Sequence, residues 1–178
     1  MKIQQYRLIC LLNVSFKIFN KLATNRIIGA AQKVISLSQS AFIPRRKTME
    51  GMVTLHETIH ELHCKNKRGV MFKIDFEKAY DKIKWSFVQQ TLKMKGFSPK
   101  WCQWIASFIQ GGHVGIKVND QVGPNFKTYK GLRQGDRLSP ILFNIVADML
   151  ALLIKSAKDV SSITRVIPHL VDNGLSIS

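Results

Sequence analysis

Acid is what this chain has least of. No Asp or Glu precedes Glu50, and eleven acids in all stand against 27 Lys and Arg, a formal net charge of +16. Such an imbalance repels basic partners and favours a polyanion, nucleic acid before an anionic membrane surface. The plainer alternative is a basic protein that binds no polyanion. Cysteine is scarce as well. Cys10, Cys64 and Cys102 are odd in number and far apart, which excludes a disulfide framework and a Cys-rich zinc site, and implies a reducing compartment with no disulfide partner. Long apolar runs are missing too: the longest, residues 141–154, is too short for a bilayer and contains Asp148, so it reads as a core helix with no membrane partner. No repeat, low-complexity tract or Gly/Ser linker divides the chain. With 46% hydrophobic residues, it is one domain or a large piece of a bigger one.

The basic, acid-free residues 1–49 have the composition of a mitochondrial transit peptide. "LICLL" and "VISLSQSAFIP" argue against it, because both look like buried, structured segments. "NVS" at 13–15 fits a glycosylation sequon that carries no weight without a secretory signal.

Periodicity predicts the elements. Val14, Ile18 and Leu22, with Phe19 and Ala23 beside them, predict a helix over 12–28. Met52, Val53, Leu55, Ile59 and Leu62 predict another from Met49 to about Lys65. A short strand is expected at 69–76, then a helix after Asp81 that stops at Gly96. Ser98 is a candidate N-cap with Pro99 at the first helical position, followed by Trp101, Trp104, Ile105 and Phe108 on one face. "HVGIKV" and "NFKTY" around "NDQVGP" read as a hairpin, Ser139-Pro140 opens the apolar helix, and "TRVIP" reads as one more strand. The mixture predicts an α+β (mixed α/β) fold.

Three constellations could carry chemistry. "HETIH" at 56–60 puts His56 and His60 one turn apart with Glu57 as a possible base, the pattern of a zinc metalloprotease. It lacks a convincing distant third ligand, and an exposed helix face is the plain alternative. In "GVMFKIDF", Val70, Phe72, Ile74 and Phe76 alternate with Met71, Lys73 and Asp75, which would place Lys73 and Asp75 on the open face of a strand. Asp75 there is either a reactive group at a strand end or a carboxylate that caps the next helix or pairs with Lys73. In "GLRQGDRLSP", two glycines admit a close ligand, Arg133 is a fork-shaped phosphate donor and Gln134 can bond a base edge or sugar. The alternative is an ordinary loop before a helix. Together with the charge, the acid-tipped strand and this loop suggest nucleotide handling.

At these residues the chain resembles a known family. "FKIDFEKAYDKIKW", "GFSPKWCQWI", "GIKVNDQVG" and "GLRQGDRLSPILFNIVADML" are similar to the reverse transcriptase domain of plant LINE-type, non-LTR retrotransposons, and "LICLLNVSFKIFNKLATNRI" and "QSAFIPRR" resemble its finger segments. The resemblance implies a right-hand polymerase, with fingers over about 1–68 and an incomplete palm over about 69–178, without a thumb. It implies Mg2+ as cofactor in a two-metal site, and an RNA template, a DNA primer and dNTP as partners. By it, Asp75 is the first catalytic carboxylate and the Phe76 backbone carbonyl a further metal ligand. Tyr80 is the steric gate against a ribose 2′-hydroxyl, Gln134 and Gly135 line the nucleotide, and Arg46 packs over its phosphates. Arg133 and Lys73 would contact nucleic-acid phosphates.

There are departures. Arg45 stands where the family has a turn Gly, Arg137 where it has Pro, and Leu8 where a Pro follows the matching Arg7. The family would continue past "HLVDNGLSIS" into an Asp-Asp turn with the other catalytic carboxylates, for which Asp172 is no evident substitute. The expectation is therefore a domain fragment inactive as an isolated chain, residing in nucleus or cytoplasm. The competing expectations are a non-catalytic nucleic-acid-binding remnant and a chain that folds poorly.

Overall fold

The computed structural model describes residues 9–37, 39–110 and 112–160. Arg7, Leu8, His169, Asp172 and the expected "TRVIP" strand lie outside them. The elements are α1 (Val14–Val34), α2 (Thr48–Cys64), α3 (Ala79–Lys82), α4 (Trp85–Met94) and α5 (Pro99–Ile109), then β1 (His113–Val114), β2 (Lys117–Val118), β3 (Gln121–Val122), β4 (Phe126–Lys127) and α6 (Leu138–Asp159). Helices with a small antiparallel sheet make this the expected mixed fold. Packing divides the chain into two units, Met1–Arg26 with Phe76–Phe143, and Ile27–Asp75 with Asn144–Ser178.

In the first unit, α4 and α5 pack through Val88, Leu92, Cys102 and Ile105, all essentially buried. Their ends follow from local chemistry. The backbone N–H of Phe97 bonds the Leu92 carbonyl at 3.1 Å and that of Gly96 bonds Lys93 at 3.0 Å. With Gly96 at φ +81°, this is a Schellman stop that only glycine adopts without strain. Ser98 Oγ then accepts the Trp101 N–H at 3.3 Å, and Pro99 fills the first helical position. The helix expected to run unbroken from Asp81 is instead two: α3 ends at extended Ile83, and Asp81 lies inside α3 rather than capping α4.

The hairpin is tighter than "NDQVGP" suggested. Asn119 and Asp120 both have positive φ and form a two-residue turn between β2 and β3, where Lys117 faces Val122 and Val118 faces Gln121. Outside it, His113 faces Lys127 and Val114 faces Phe126. Between the two ladders one strand carries Gly115 and Ile116 while the other carries Gly123, Pro124 and Asn125; the Gly123 N–H still bonds the Ile116 carbonyl at 2.9 Å, so the one extra residue bulges at Pro124–Asn125.

In the second unit, Ile27, Ala31, Ile35, Ile43 and Ile145 are buried. Two polar groups of α6 tie it to this core: Asp148 accepts the Ser36 backbone N–H at 2.9 Å, and the Asn144 amide donates to the Ala41 carbonyl. α6 is long and apolar enough to cross a membrane by length and composition. A buried, internally bonded carboxylate at its middle is nevertheless the mark of a core helix, since lipid penalises one heavily.

Two apolar patterns did not become core. On α1 the buried stripe is Asn20, Ala23, Thr24, Ile27 and Ala31, while Val14, Ile18 and Leu22 are exposed. The reason is continuation: the first stripe stays small or apolar through Ile35, whereas the second runs out into Arg26, Gly29 and Lys33. The expected strand at 69–76 is irregular, and Val70, Phe72, Ile74 and Phe76 are all exposed. Alternation does not make a strand unless another segment takes its backbone hydrogen bonds, and none pairs with it among the described residues.

Arg45 has φ +67°, so the position where the family carries Gly is a left-handed turn here. An L side chain costs about 1–2 kcal/mol in that region, partly offset by the larger unfolded-state entropy of glycine. Arg45→Gly is expected to raise the unfolding free energy by about 0.5–1 kcal/mol, read from a shifted urea midpoint at unchanged slope.

Candidate nucleotide and nucleic-acid site

The first unit assembles α3 and the loop before α6 into one site. Lys78 enters α3 in a left-handed conformation (φ +50°), and Tyr80 follows on the helix. A four-residue helix cannot satisfy its own terminal carbonyls. The loop does it instead: the Leu132 N–H bonds the Tyr80 carbonyl and the Gly131 N–H bonds the Ile83 carbonyl, both at 2.8 Å. The Trp85 indole Nε1–H clamps the other side, donating to the Gly131 carbonyl at 2.7 Å. Gly131 has φ +93°, and a Cβ there would meet the Asp81 backbone oxygen at 3.2 Å, so the close approach requires glycine.

The Tyr80 ring stacks on Phe143 of α6 at 4.8 Å between centroids and 9° between planes. Burial raises its hydroxyl above the ordinary phenol value, so it stays neutral through physiological pH. Further along the loop, the Gln134 carbonyl accepts the Cys10 N–H at 2.9 Å. Gly135 has φ +94°, and a Cβ there would lie 3.4 Å from the Cys10 carbonyl oxygen. Asp136 ends the loop by accepting the Leu138 N–H at 3.1 Å, which anchors the start of α6.

Burial raises the Asp136 carboxyl above its ordinary value, against the opposing pull of the Leu138 N–H, the Arg133 charge, the Ser139 side chain and the Arg137 N–H. A carboxyl raised on folding binds protons more readily in the native state. Its contribution to stability is therefore full below the unfolded value of 3.8 and is lost as pH rises through the raised value. Asp136→Asn keeps an accepting oxygen and removes the charge. Its unfolding free energy is expected to lose this acid-range slope, and comparison of urea midpoints at acid and neutral pH checks it.

The structure brings Tyr80, Gln134 and Gly135 together on this scaffold, with Phe76 exposed in the same unit. Arg133 is engaged internally. Its Nη1 donates to the Phe108 carbonyl at 3.1 Å and its guanidinium lies 4.7 Å from the Phe16 ring centre. Close by, a shallow depression is lined by Lys84, Trp85, Ser86, Gln110, Tyr129 and Lys130. Tyr129 is 77% exposed with the Lys127 ammonium over its ring, a combination suited to phosphates and stacked bases.

Asp75, Lys73 and Arg46 belong to the second unit. Asp75 and Lys73 are exposed in the irregular segment, where Asp75 has no hydrogen-bond or ion-pair partner among the described residues. Arg46 closes the C-terminal end of α1. Its guanidinium donates to the carbonyls of Gln39 (2.6 Å), Ile35 (2.9 Å), Gln32 (3.2 Å) and Ser36. Sequence reasoning missed Trp85 and Phe143. Trp85 closes the quoted "FEKAYDKIKW" and could have been marked as an indole needing an acceptor, whereas nothing in the sequence pairs Phe143 with Tyr80.

"HETIH" lies on α2, but no three His, Cys, Asp or Glu form a metal-holding group among the described residues. The third ligand a zinc protease needs is absent from them.

The arrangement is a tyrosine beside a Gly-containing loop on a basic scaffold. Residues 2–167 match the family described as reverse transcriptase (RNA-dependent DNA polymerase), and the chain belongs to it. The chain is 22% identical over 153 residues to the Transposon TX1 uncharacterized 149 kDa protein of Xenopus laevis, covering 86% of this chain and 12% of that protein. It is 27% identical over 143 residues to a retrovirus-related Pol polyprotein from type-1 retrotransposable element R2 of Nasonia vitripennis, covering 80% and 14%. A third relative, the Pol polyprotein from type-2 element R2DM of Drosophila melanogaster, is 25% identical over 112 residues, covering 63% and 11%. The chain thus spans a small part of the length of these relatives. Reverse transcriptases as a family act on nucleic-acid templates and dNTPs and generally use divalent metal ions.

Proposed function

We propose that the chain carries fingers and palm segments of the RNA-directed DNA polymerase of a non-LTR retrotransposon. About 1–68 would form fingers and about 69–178 palm with finger insertions. The docking of the Gly131–Leu132 backbone onto α3 carries this reading, because it holds Tyr80 beside the loop of Gln134 and Gly135. In it, Tyr80, braced by Phe143, stands where a ribose 2′-hydroxyl would intrude, and Gln134 and Gly135 line the base and sugar. Arg46, held by the carbonyls of the finger turn, and Arg133, held by Phe108 and Phe16, lend positive charge from fixed positions, while exposed Lys73 meets the backbone of RNA template and DNA primer. Asp75, with the Phe76 carbonyl, would be the group that holds Mg2+, the charge on which a primer hydroxyl and leaving phosphate would rely.

Two ions roughly 4 Å apart need several carboxylates. The described residues offer Asp75 without a surrounding cluster, so they do not by themselves fit that pair. This favours a second reading, in which the chain binds RNA without turning over dNTP. Template-primed dNTP incorporation by the chain alone, abolished in Asp75→Asn, would overturn that second reading.

The experiment on binding is a salt titration of affinity for single-stranded RNA. Each neutralised phosphate adds about 0.7 to the slope of log K against log salt. Replacing Lys84 and Lys130 by Glu is expected to flatten the slope by about 1–1.5. Asp75→Asn is expected to leave it unchanged. An unaltered slope in the double variant would remove the depression from the binding surface.

A further inference from the structure

α2 is an electrostatic exception. In a chain of net charge +16, its seventeen residues carry Glu50, Glu57 and Glu61 and no Lys or Arg. His56, Glu57, His60 and Glu61 line a shallow depression along it. One turn beyond His60 stands Cys64, exposed and free. Its Sγ lies 3.7 Å from His60 Nδ1 and 3.8 Å from Nε2.

We propose that His60 and Cys64 form a two-ligand chelate for a borderline-soft divalent cation of the zinc class. With Zn–N of about 2.0–2.1 Å and Zn–S of about 2.3 Å, a tetrahedral ion holds its N and S ligands about 3.5 Å apart. Either ring nitrogen is within a few tenths of an ångström of that span, and rotation of the exposed His60 ring turns the lone pair of one of them toward the ion. The ion replaces the thiol proton, which goes to solvent, and water completes its coordination. Glu57 offsets the ion's charge from the outside, while Glu61 is paired with Lys65. An N/S pair selects zinc, cobalt or cadmium over magnesium, which prefers oxygen. The site therefore differs in chemistry from polymerase metal binding and stands independently of that function. Bridging one turn near the end of α2, the ion would staple the helix and shield the thiol.

The test is Co2+ titration of the full chain under reducing, thiol-free conditions. A thiolate-to-cobalt absorption band saturating at one equivalent is expected, absent in Cys64→Ser and at least tenfold weaker in affinity in His60→Ala. His63→Ala, at the adjacent position, is expected to bind as the parent does. Zn2+ should slow maleimide labelling of Cys64, mapped by peptide mass, in the parent and not in His60→Ala. All three side chains are exposed, and helix content by circular dichroism confirms that the variants fold. A band that persists in Cys64→Ser would assign the metal to Cys10 or Cys102. An unchanged affinity in His60→Ala would equally overturn the chelate.

Discussion

Gly131→Ala is expected to lower the unfolding free energy by about 3 kcal/mol, and to weaken the nucleotide contacts proposed for this loop. Two independent penalties combine. The residue sits at φ +93°, where a Cβ adds about 1–2 kcal/mol of backbone strain. That Cβ would also lie 3.2 Å from the Asp81 carbonyl oxygen and 3.3 Å from its Cα, and overpacking against backbone costs about 1–3 kcal/mol. Relief requires the loop to move away from α3, which stretches the bonds from Gly131 to Ile83 and from Leu132 to Tyr80. Chemical denaturation measures the first effect. The second appears as loss of nucleotide contact in a protein that still folds. Gly135→Ala is the comparison: its Cβ would meet the Cys10 oxygen at 3.4 Å, ordinary contact, so only the strain remains and the loss should be smaller.

Arg46→Ala should cost about 2–3 kcal/mol. Its guanidinium answers carbonyls at and after the last turn of α1, where the helix dipole is negative and the final C=O groups have no intrahelical partners. Hydrogen bonds from a charged donor are worth about 1.5–3 kcal/mol, and half-burial keeps the total near that range rather than at the sum over four carbonyls. Arg46→Lys should recover less than half of the loss, because a single ammonium cannot span several carbonyls as the planar fork does. Urea midpoints for the three proteins decide it. If Arg46→Ala were neutral in stability, the guanidinium would be free for a nucleotide phosphate.

Much of the fold could be read locally. Ser98, Pro99 and Gly96 marked their helix ends because caps depend on a few adjacent residues. The left-handed turn at Arg45 was legible only because the family carries Gly there. What failed depended on distant partners. Val14, Ile18 and Leu22 are as periodic as a core stripe, but burial followed the neighbouring row that extends along the whole helix. Val70, Phe72, Ile74 and Phe76 alternate as a strand does and remain exposed for want of a pairing segment among the described residues. The same division holds in the site. Gln134 and the loop glycines were legible from residue chemistry and Tyr80 from resemblance alone, and their common scaffold rests on Trp85 and Phe143, whose partners lie far along the chain. Arg133 reads as a phosphate fork by residue type, and its contacts with Phe16 and Phe108 come from packing that residue type does not disclose.

The central claim is that α3 and the loop 131–135 form the nucleotide subsite of a reverse transcriptase domain. Photocrosslinking of a template-complementary dNTP to the full chain, in the presence of primed RNA and Mg2+, tests it most directly. The account predicts adducts within 79–85 or 131–137 that need the matching template base, with rNTP adducts appearing in Tyr80→Val. Adducts that fall elsewhere, or that form equally with any template base and with rNTP in the parent chain, would contradict it.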